Sequence, residues 1–455
     1  MLFLRHQSPR LLLVLALAAL GVGLSALLIP KEYQAVAQQL IGFPDSHVLA
    51  QQARPIVLAG LCFLPLLGSL VYSLGDTLDR YITRQFLSIF AICMAALFMI
   101  FLLIDLSDKI GDFRNSKHVL RTICGFYATR FPFMLLMLLP YSLLLSLLHT
   151  LGRLSSQREI IAILQAGRGL LRIALPLILA GAFCTLLSLG LNYHWAPIAE
   201  GRMYEILAEA ADKPATQATQ VLYRNPENNR LWMIGSFPPN YNTGEPLLNV
   251  EVTTTDTNHK LQSRLSATRA MWNRETREWT FENPVLGSYP PGRPPVFDKP
   301  AGSLTINSWS ETPWQLIKPG IRAEYVGIPD LSGWLQANAR HQSFANPAPY
   351  LTQWHYRWAL PFTCLVTVLL ASPLAIHFSR RGPGGGIFLA VVLSAMMLLV
   401  SNIVLAFGEA GTLNPVLAAW LPNIAFTLLG IDLFRRRMSG KPFYQSLRKL
   451  LPDGT

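Results

Sequence analysis

Long apolar runs alternate with short polar segments along most of the chain. Eight of these runs are long enough to cross a bilayer core of about 30 Å as helices, because a helix rises about 1.5 Å per residue. They lie at residues 11–29, 56–74, 86–104, 123–148, 173–193, 360–378, 387–407 and 416–434. The first run could also be a signal peptide, but no small-residue cleavage pattern follows it, which favours a retained helix. The pattern predicts a multi-pass α-helical membrane protein.

The segment from Trp195 to about Pro349 has a different pattern. Its apolar residues occur in short alternating runs between turn-rich breaks, which is typical of antiparallel strands. We predict strands at residues 220–223, 230–237, 247–255, 262–272, 278–281 and 303–309. This predicts an inserted all-β domain, a sandwich, jelly roll or barrel. Trp232, Trp272 and Trp279 could fill its core or line a slot for lipid.

Basic residues predict the orientation of the spans. Lys and Arg accumulate on the cytoplasmic loops of membrane proteins. If the N-terminus is cytoplasmic, the basic stretches around Arg80, Arg153, Arg380 and Arg435 all lie on that side. The β domain then lies on the opposite side. The loop at residues 109–121 is basic but also lies outside, so we expect it to be neutralised or to bind an anion.

Composition agrees with a membrane protein and narrows the chemistry. Of the 455 residues, 51% are hydrophobic and 14% are charged, whereas soluble domains carry roughly a quarter charged residues. Membrane topology accounts for much of the net charge of +12, so we expect no nucleic-acid partner. The five cysteines lie in or beside apolar runs, and the histidines lack metal-ligand spacing. Without a Walker A motif or a hydrolase signature, we expect no enzymatic activity, no metal and no directly bound cofactor.

A polar, helix-compatible segment at residues 151–172 separates the fourth and fifth spans. Ser155 or Ser156 could cap a short helix, with Glu159 in its first turn, where a carboxylate complements the helix dipole. The expected apolar face and stop signal consist of Ile160, Ile163, Leu164 and Gly167. Such a helix either rests on the bilayer surface or is bound by another protein.

A candidate site for an anionic lipid headgroup lies near the outer ends of the third and fourth spans. Its residues are Lys109, Arg114, Lys117, Arg121 and Arg130. Guanidinium and ammonium groups form charge-assisted hydrogen bonds with phosphate. Arg130 is the strongest candidate because it lies within an apolar run, where an unpaired charge is costly. We interpret the neighbouring Asp105 and Asp108 as solvated interfacial acids rather than a catalytic pair.

Several motifs, taken in order, resemble a known family. They are LDRYITRQFL at 78–87, LGRLSSQREIIAILQAG at 151–167, WAP at 195–197, SATRAMWNRETREWTFEN at 266–283, RWALPFTCLVTVLLASPLA at 357–375 and AAWLPN at 418–423. The set is similar to the LptF/LptG permeases of lipopolysaccharide export, and the opening motif is closer to the LptG member. The resemblance covers about residues 78–437. Residues 1 to about 75 add two apolar runs that the family lacks.

The resemblance implies an α-helical membrane protein with six family spans, two extra N-terminal spans and a β domain between the family halves. The extension would comprise residues 1–76 and the two halves of the permease core residues 77–194 and 351–437. The periplasmic jelly-roll-like domain would comprise residues 195–350. A basic cytoplasmic tail would follow at residues 438–455.

The resemblance also implies a permease subunit of an ABC-type exporter in the bacterial inner membrane. Such an exporter extracts lipopolysaccharide or a related glycolipid and passes it to a periplasmic bridge protein of the Lpt type. Residues 151–167 would be the coupling helix for a cytoplasmic ABC ATPase dimer, which alone would use ATP, and Glu159 would be its acidic contact. The spans at 86–104 and 387–407 would form a lateral gate with a second LptF/LptG-type permease.

Two other functions remain open. The first is a membrane scaffold whose β domain docks a periplasmic partner without moving lipid. The second is a lipid-modifying enzyme, which the residues support least.

Overall fold

The fold is mostly helical, with one antiparallel sheet inserted. The computed structural model describes residues 8–42, 47–114, 119–210, 218–225, 228–238, 244–256, 260–273, 276–300, 302–317, 322–339, 347–376 and 384–439. The helices before the sheet are α1 (Ser8–Gly42), α2 (Val48–Leu74), α3 (Thr77–Arg114), α4 (Val119–Ser156), α5 (Glu159–Gln165), α6 (Leu170–Tyr193) and α7 (Trp195–Ala210). The helices that follow it are α8 (Pro313–Ile317), α9 (Ile328–Ala339), α10 (Ala348–Ala359), α11 (Thr363–Ala375), α12 (Gly384–Glu409) and α13 (Pro415–Met438).

All eight predicted spans are confirmed as helices that are long and apolar enough to cross a membrane, within the part of the chain that the structure describes. Their boundaries are wider than the apolar runs. The sixth span begins at Ala348 rather than at residue 360, because a 3-10 turn at Leu360–Phe362 joins α10 to α11. Helices α3 and α4 have 38 residues each, so at about 1.5 Å per residue both exceed a bilayer core of about 30 Å.

Side-chain contacts divide the helix ends into two groups. At one end, Arg172 of α6 donates to Asp76 and Asp79 at the start of α3, at 2.7 and 2.8 Å. At the other end, Gln51 of α2 donates to Asp330 of α9 at 2.8 Å. The alternation of ends agrees with the predicted up-and-down order of the spans, and the β domain lies at the end opposite to α5.

The main apolar core of the spans lies close to the end that carries α5. Ile82 of α3, Leu147 of α4, Leu177 of α6 and Val368 of α11 are all fully buried in it. Helices α6 and α11 approach closely at Gly181, where a Cβ would lie 2.7 Å from the Val368 side chain. Small residues allow such approaches between membrane helices, whose packing is dominated by van der Waals contact.

The β domain contains eight described strands. They are β1 (Ala218–Asn225), β2 (Arg230–Phe237), β3 (Leu247–Thr255), β4 (Leu261–Asn273), β5 (Glu278–Glu282), β6 (Val285–Ser288), β7 (Val296–Asp298) and β8 (Ser303–Ile306). The all-β class is confirmed, and all six predicted strands are present. Strands β1 to β5 pair antiparallel in chain order, β8 pairs with β5, and β6 pairs with both β4 and β7. The described strands form a single sheet.

Strands β6 and β7 were not predicted, because prolines lie next to both of them. Strands β5 and β6 both pair with β4, and the pairs Met271–Thr280 and Ser266–Val285 keep one register. Strands β5 and β6 are therefore parts of one strand that is interrupted at Asn283 (φ 50°) and Pro284. Proline is tolerated at such an interruption and next to an edge strand such as β7.

Aromatic side chains fill one face of the sheet. Trp232, Trp279 and Phe281 are fully buried, and the Trp232 ring centroid lies 5.1 Å from that of Trp279. Leu316 and Ile317 of α8 cover this face and are themselves fully buried. Of the two expectations for the tryptophans, the structure favours core packing.

Helices α7, α8, α9 and α10 lie in segments that we had not expected to be helical. Helix α7 continues from α6 after a turn at His194 and packs along α4. The rings of Trp334 in α9 and Tyr350 in α10 stack at 3.7 Å. The first described strand begins at Ala218, close to the predicted start at residue 220.

We expect Gly408→Ala to destabilise the protein by about 1–3 kcal/mol, the usual cost of overpacking. A Cβ at Gly408 of α12 would lie 2.4 Å from Cβ of Ala418 in α13 and 2.8 Å from Cγ2 of Thr352 in α10. Thermal unfolding of the purified protein in detergent measures the change. Gly125→Ala is the control, because no atom lies within 4 Å of its Cβ position. Equal unfolding temperatures for the two variants would contradict the proposed packing.

Candidate coupling and lipid-contact sites

The short helix α5 lies between α4 and α6, within the predicted polar segment. The expected serine cap is wrong: α4 continues through Ser156, and Arg158 stands at the N-cap of α5 in the left-handed region, with φ 58°. Glu159 lies in the first turn as expected. The amides of Gly167 (φ 78°) and Arg168 donate to the carbonyls of Leu164 and Ile163. This is a Schellman stop, so the prediction that Gly167 ends the helix is confirmed.

The apolar face of α5 points into the protein. Ile160 is fully buried in the main core of the spans, and Ile163 and Leu164 are half-buried against the same core. We expected these three residues to form a docking face, and for Ile160 that expectation is wrong because it has no accessible surface. A seven-residue helix has little stability of its own and must bury its apolar side. Within residues 158–168, the exposed residues are Arg158, Ala162, Gln165, Ala166, Gly167 and Arg168.

Glu159 contacts the first family span within the same chain. The Tyr81 hydroxyl of α3 donates to Oε2 of Glu159 at 2.9 Å. Close to this contact, Arg172 of α6 forms ion pairs with Asp76 and Asp79 at the start of α3. Helix α5 is thus joined to the start of α3 by polar contacts as well as by the core. Sequence reasoning missed Tyr81 because it lies 78 residues from Glu159.

A buried ionic cluster joins the far ends of α3 and α4. Asp105 accepts a 2.5 Å hydrogen bond from Nη1 of Arg130, and its Oδ1 lies 3.3 Å from Nζ of Lys109. The Tyr127 hydroxyl also donates to Asp105, at 3.1 Å. The side chain of Asp105 is only 13% exposed, so its interpretation as a solvated acid is wrong. The signal was available, because a cation within an apolar run requires a partner.

Aromatic rings and α7 complete the surroundings of this cluster. The rings of Phe101, Phe126 and Phe133 lie within 6 Å of the Arg130 guanidinium, at a distance suited to cation–π contact. Burial raises the pKa of Glu200 on α7, while Arg130 and another arginine oppose that rise. Two cations, Lys109 and Arg130, contact the carboxylate of Asp105, and Glu200 is a further acidic neighbour of both.

The remaining predicted headgroup residues do not join this cluster in the described structure. Arg121 is exposed near the start of α4. Arg114 ends α3, and nothing is described of its side chain. Lys117 lies outside the described residues. Asp108 is exposed, in agreement with its interpretation as a solvated acid.

Comparison with known proteins identifies the family. The family model for the lipopolysaccharide export system permease LptF/LptG matches residues 80–436. The chain is also similar to the lipopolysaccharide export system permease protein LptF of Escherichia coli K12, and to the proteins of the same name from Escherichia coli O157:H7 and Shigella flexneri. Each is 22% identical over 370 residues, covering 78% of this chain and 93% of the relative.

These matches leave open whether the chain corresponds to LptF or, as its opening motif suggested, to LptG. The matched region includes six of the eight spans, helix α5, both polar sites and the whole β domain. Since it covers well over half of the chain, the protein belongs to the LptF/LptG family of lipopolysaccharide export system permeases.

Proposed function

We propose that this chain is the permease subunit of an ABC-type exporter in the inner membrane, which extracts lipopolysaccharide or a related glycolipid. A separate ATPase supplies the energy, and a periplasmic bridge protein receives the lipid from the β domain. One observation carries the proposal: α5 exposes a polar side at the end of the spans opposite to the β domain. This chain lacks a nucleotide-binding motif, so a permease of this kind needs a surface through which a partner ATPase can drive it.

The ATPase contact consists of Glu159 and the exposed residues of α5. Glu159 is only half-buried, so its carboxylate remains accessible to a cation of a cytoplasmic ATPase dimer. The buried Ile160 holds α5 to the spans, and Ile163 and Leu164 support it. Movement of α5 therefore moves the core rather than an isolated loop. ATP is used by the partner, and this chain binds no cofactor of its own.

Tyr81 transmits that movement to α3. Its hydroxyl joins Glu159 to the first turns of α3, where Ile82 and Phe86 are buried in the same core as Ile160. A shift of α5 is therefore passed to one end of α3 by a hydrogen bond and by packing. The other end of α3 carries Asp105, which connects the coupling site to the ionic cluster.

A second permease of the LptF/LptG type covers α3 and α12. None of the most apolar window of α3 is buried, and only 17% of that of α12, against 72% for the span at Ala348–Ala375. Both helices pack on neighbouring spans but also expose large apolar side chains, such as Leu103 of α3 and Leu399 of α12. Their exposed faces suit a lateral gate formed with a partner chain.

The lipid headgroup is bound by the cations of the outer cluster. Lys109 and Arg130 share the carboxylate of Asp105, and Arg121 lies exposed at the start of α4. Arg114, the last residue of α3, and Lys117 add further positive charge to this part of the sequence. Phosphate groups form charge-assisted hydrogen bonds with such cations, and these strengthen away from bulk water.

The periplasmic bridge binds at an edge of the sheet. Strand β7 is a three-residue edge strand, and its Val296 and Phe297 are 60% and 63% exposed. Exposed apolar edges readily pair with a strand of another chain.

We expect Glu159→Lys to abolish copurification of the ATPase from membranes, because it places a cation where the partner's cation must bind. Asp432→Lys is the matched control, since it makes the same charge change at a half-exposed carboxylate near the end of α13. Retention of the ATPase by Glu159→Lys would refute this contact. Loss with both variants would indicate a general charge effect. A wild-type chain that binds no ATPase, with normal lipid export in a deletion strain, would favour the scaffold.

We expect Tyr81→Phe to retain the ATPase but to lower the lipid exported per ATP hydrolysed by roughly two- to tenfold, the effect of losing one hydrogen bond of about 0.5–1.5 kcal/mol. The substitution removes only the hydroxyl that contacts Glu159. Lipid transfer and phosphate release by the reconstituted complex provide the ratio. Tyr33→Phe, at an exposed tyrosine of α1, is the control. An unchanged ratio for Tyr81→Phe would exclude this route of transmission.

We expect Asp105→Asn to increase, and Arg130→Gln to decrease, the amount of lipopolysaccharide that copurifies with the protein, each by roughly two- to tenfold. The first variant removes a negative charge from the cluster, and the second removes a positive one. Mass spectrometry of the bound lipid measures both. Asp108→Asn, at an exposed residue of the same helix, should have no effect. Changes of the same sign in the first two variants would argue against headgroup binding by charge.

A further inference from the structure

The first two helices form a hairpin that lies outside the region matched by the family model, which begins at residue 80. Helix α2 packs closely on α6. Cβ atoms built at Gly68 of α2 and Gly190 of α6 would lie 2.9 Å from Phe183 and 2.4 Å from Leu61, respectively. The hairpin is therefore seated on the third family span. Its helix α2 contacts α6 more extensively than it contacts α3.

A buried polar chain runs from this hairpin to α9. Glu32 of α1 forms a 2.5 Å ion pair with Arg54 of α2. Arg54 donates to Oε1 of Gln51 at 3.0 Å, and Nε2 of Gln51 donates to Oδ1 of Asp330 at 2.8 Å. Gln51, Arg54 and Asp330 are 1%, 4% and 8% exposed. Three helices are thus linked by side chains that are almost completely removed from solvent.

The same region contains both chain connections of the β domain. His194 turns the chain from α6 into α7, which leads to the sheet, and α9 follows the sheet. The Tyr193 hydroxyl donates to the carbonyl of Ala50 in α2 at 2.8 Å. A Cβ at Gly327, directly before α9, would lie 3.0 Å from Cα of His194. Both connections therefore contact each other, and each contacts the hairpin.

His194 contributes packing rather than charge to this junction. Burial, together with Arg54 and another arginine, holds the pKa of His194 well below its usual range. The imidazole is therefore neutral, and its Nδ1 lies 4.0 Å from Asp330. The Gln51 amide donates a hydrogen bond to Asp330 at this junction.

We propose that the pair of helices α1 and α2 is a clamp that fixes the base of the β domain to the third family span, with Gln51 as its positioning residue. The Gln51 amide can serve both partners because its oxygen accepts from a cation while its nitrogen donates to an anion. The clamp holds α9 and the corner at His194 still while the coupling helix moves α3. This role in transport rests on the proposed function, whereas the clamp itself does not.

Gln51→Glu is the sharpest test because it changes the charge and not the size. The new carboxylate keeps the contact with Arg54, but it replaces a donor by an acceptor opposite Asp330. We expect amide hydrogen exchange in α9 (Ile328–Ala339) to become about tenfold faster or more, as for loss of a hydrogen bond to a charged group. The full chain in nanodiscs is used, so that the measurement needs neither lipid export nor an ATPase.

The double variant Gln51→Glu/Asp330→Asn should restore slow exchange in α9, because the Asn amide can donate to the new carboxylate. A merely structural effect at Gln51 would not be reversed by a change at Asp330. The control is Gln52→Glu, the same substitution at the exposed neighbouring residue, which should leave exchange in α9 unchanged. Unchanged exchange in Gln51→Glu, or failure of the second substitution to reverse it, would overturn the clamp.

The reconstituted exporter tests the role in transport. We expect Gln51→Glu to lower the lipid transferred per ATP hydrolysed at least threefold and the double variant to recover it. Faster exchange in α9 with an unchanged transfer ratio would overturn the role of the clamp in transport. A wild-type complex that transfers no lipid would instead refute the proposed function, while the exchange measurements would still decide whether the clamp exists.

Discussion

Burial of Ile160 is the interaction on which the coupling site depends. Helix α5 has seven residues, and helices of that length are not stable in water without tertiary contacts. Its apolar side is held by the same core that contains Ile82 of α3 and Leu147 of α4. The core therefore gives α5 its shape and also joins it mechanically to the spans. A polar loop of the same length would lack both properties.

Patterns that depend on local periodicity could be predicted from the sequence. Eight spans and six strands follow from runs of apolar residues and from alternation, which are determined by near neighbours. The stop at Gly167 was also local, since a glycine there permits the positive φ of 78° that ends α5. Helix α7 was missed because residues 195–210 have no long apolar run, and they form a helix by packing along α4.

The polar contacts of the sites could not be predicted in the same way. Tyr81 and Glu159 are 78 residues apart, and Gln51 and Asp330 are 279 residues apart. Nothing in either neighbourhood specifies the partner, because the partner is brought there by the arrangement of whole helices. The inward orientation of Ile160 could not be predicted for the same reason, because it depends on the arrangement of whole helices. An apolar face predicts burial but does not say whether the same chain or another protein buries it.

The hairpin and the ionic cluster show two solutions for charge near a membrane surface. In the hairpin, Arg54 and Asp330 are separated by a neutral amide, and Glu32 balances the cation. In the cluster, Asp105 serves two cations at once. In the first arrangement each charged group is held by a fixed neighbour, which suits a support. In the second, two cations share one carboxylate, which suits a site where an anionic ligand can exchange with that carboxylate.

The position of Asp105 also has a kinetic consequence for the headgroup site that we propose. A phosphate that binds Arg130 must compete with a carboxylate that is already 2.5 Å away. That carboxylate remains attached to α3 after the exchange, so it is always available to displace the phosphate again. Such a built-in competitor weakens binding chiefly by shortening the residence time of the ligand. A protein that must hand its cargo on gains from fast release, and Asp105 provides it within the binding site itself.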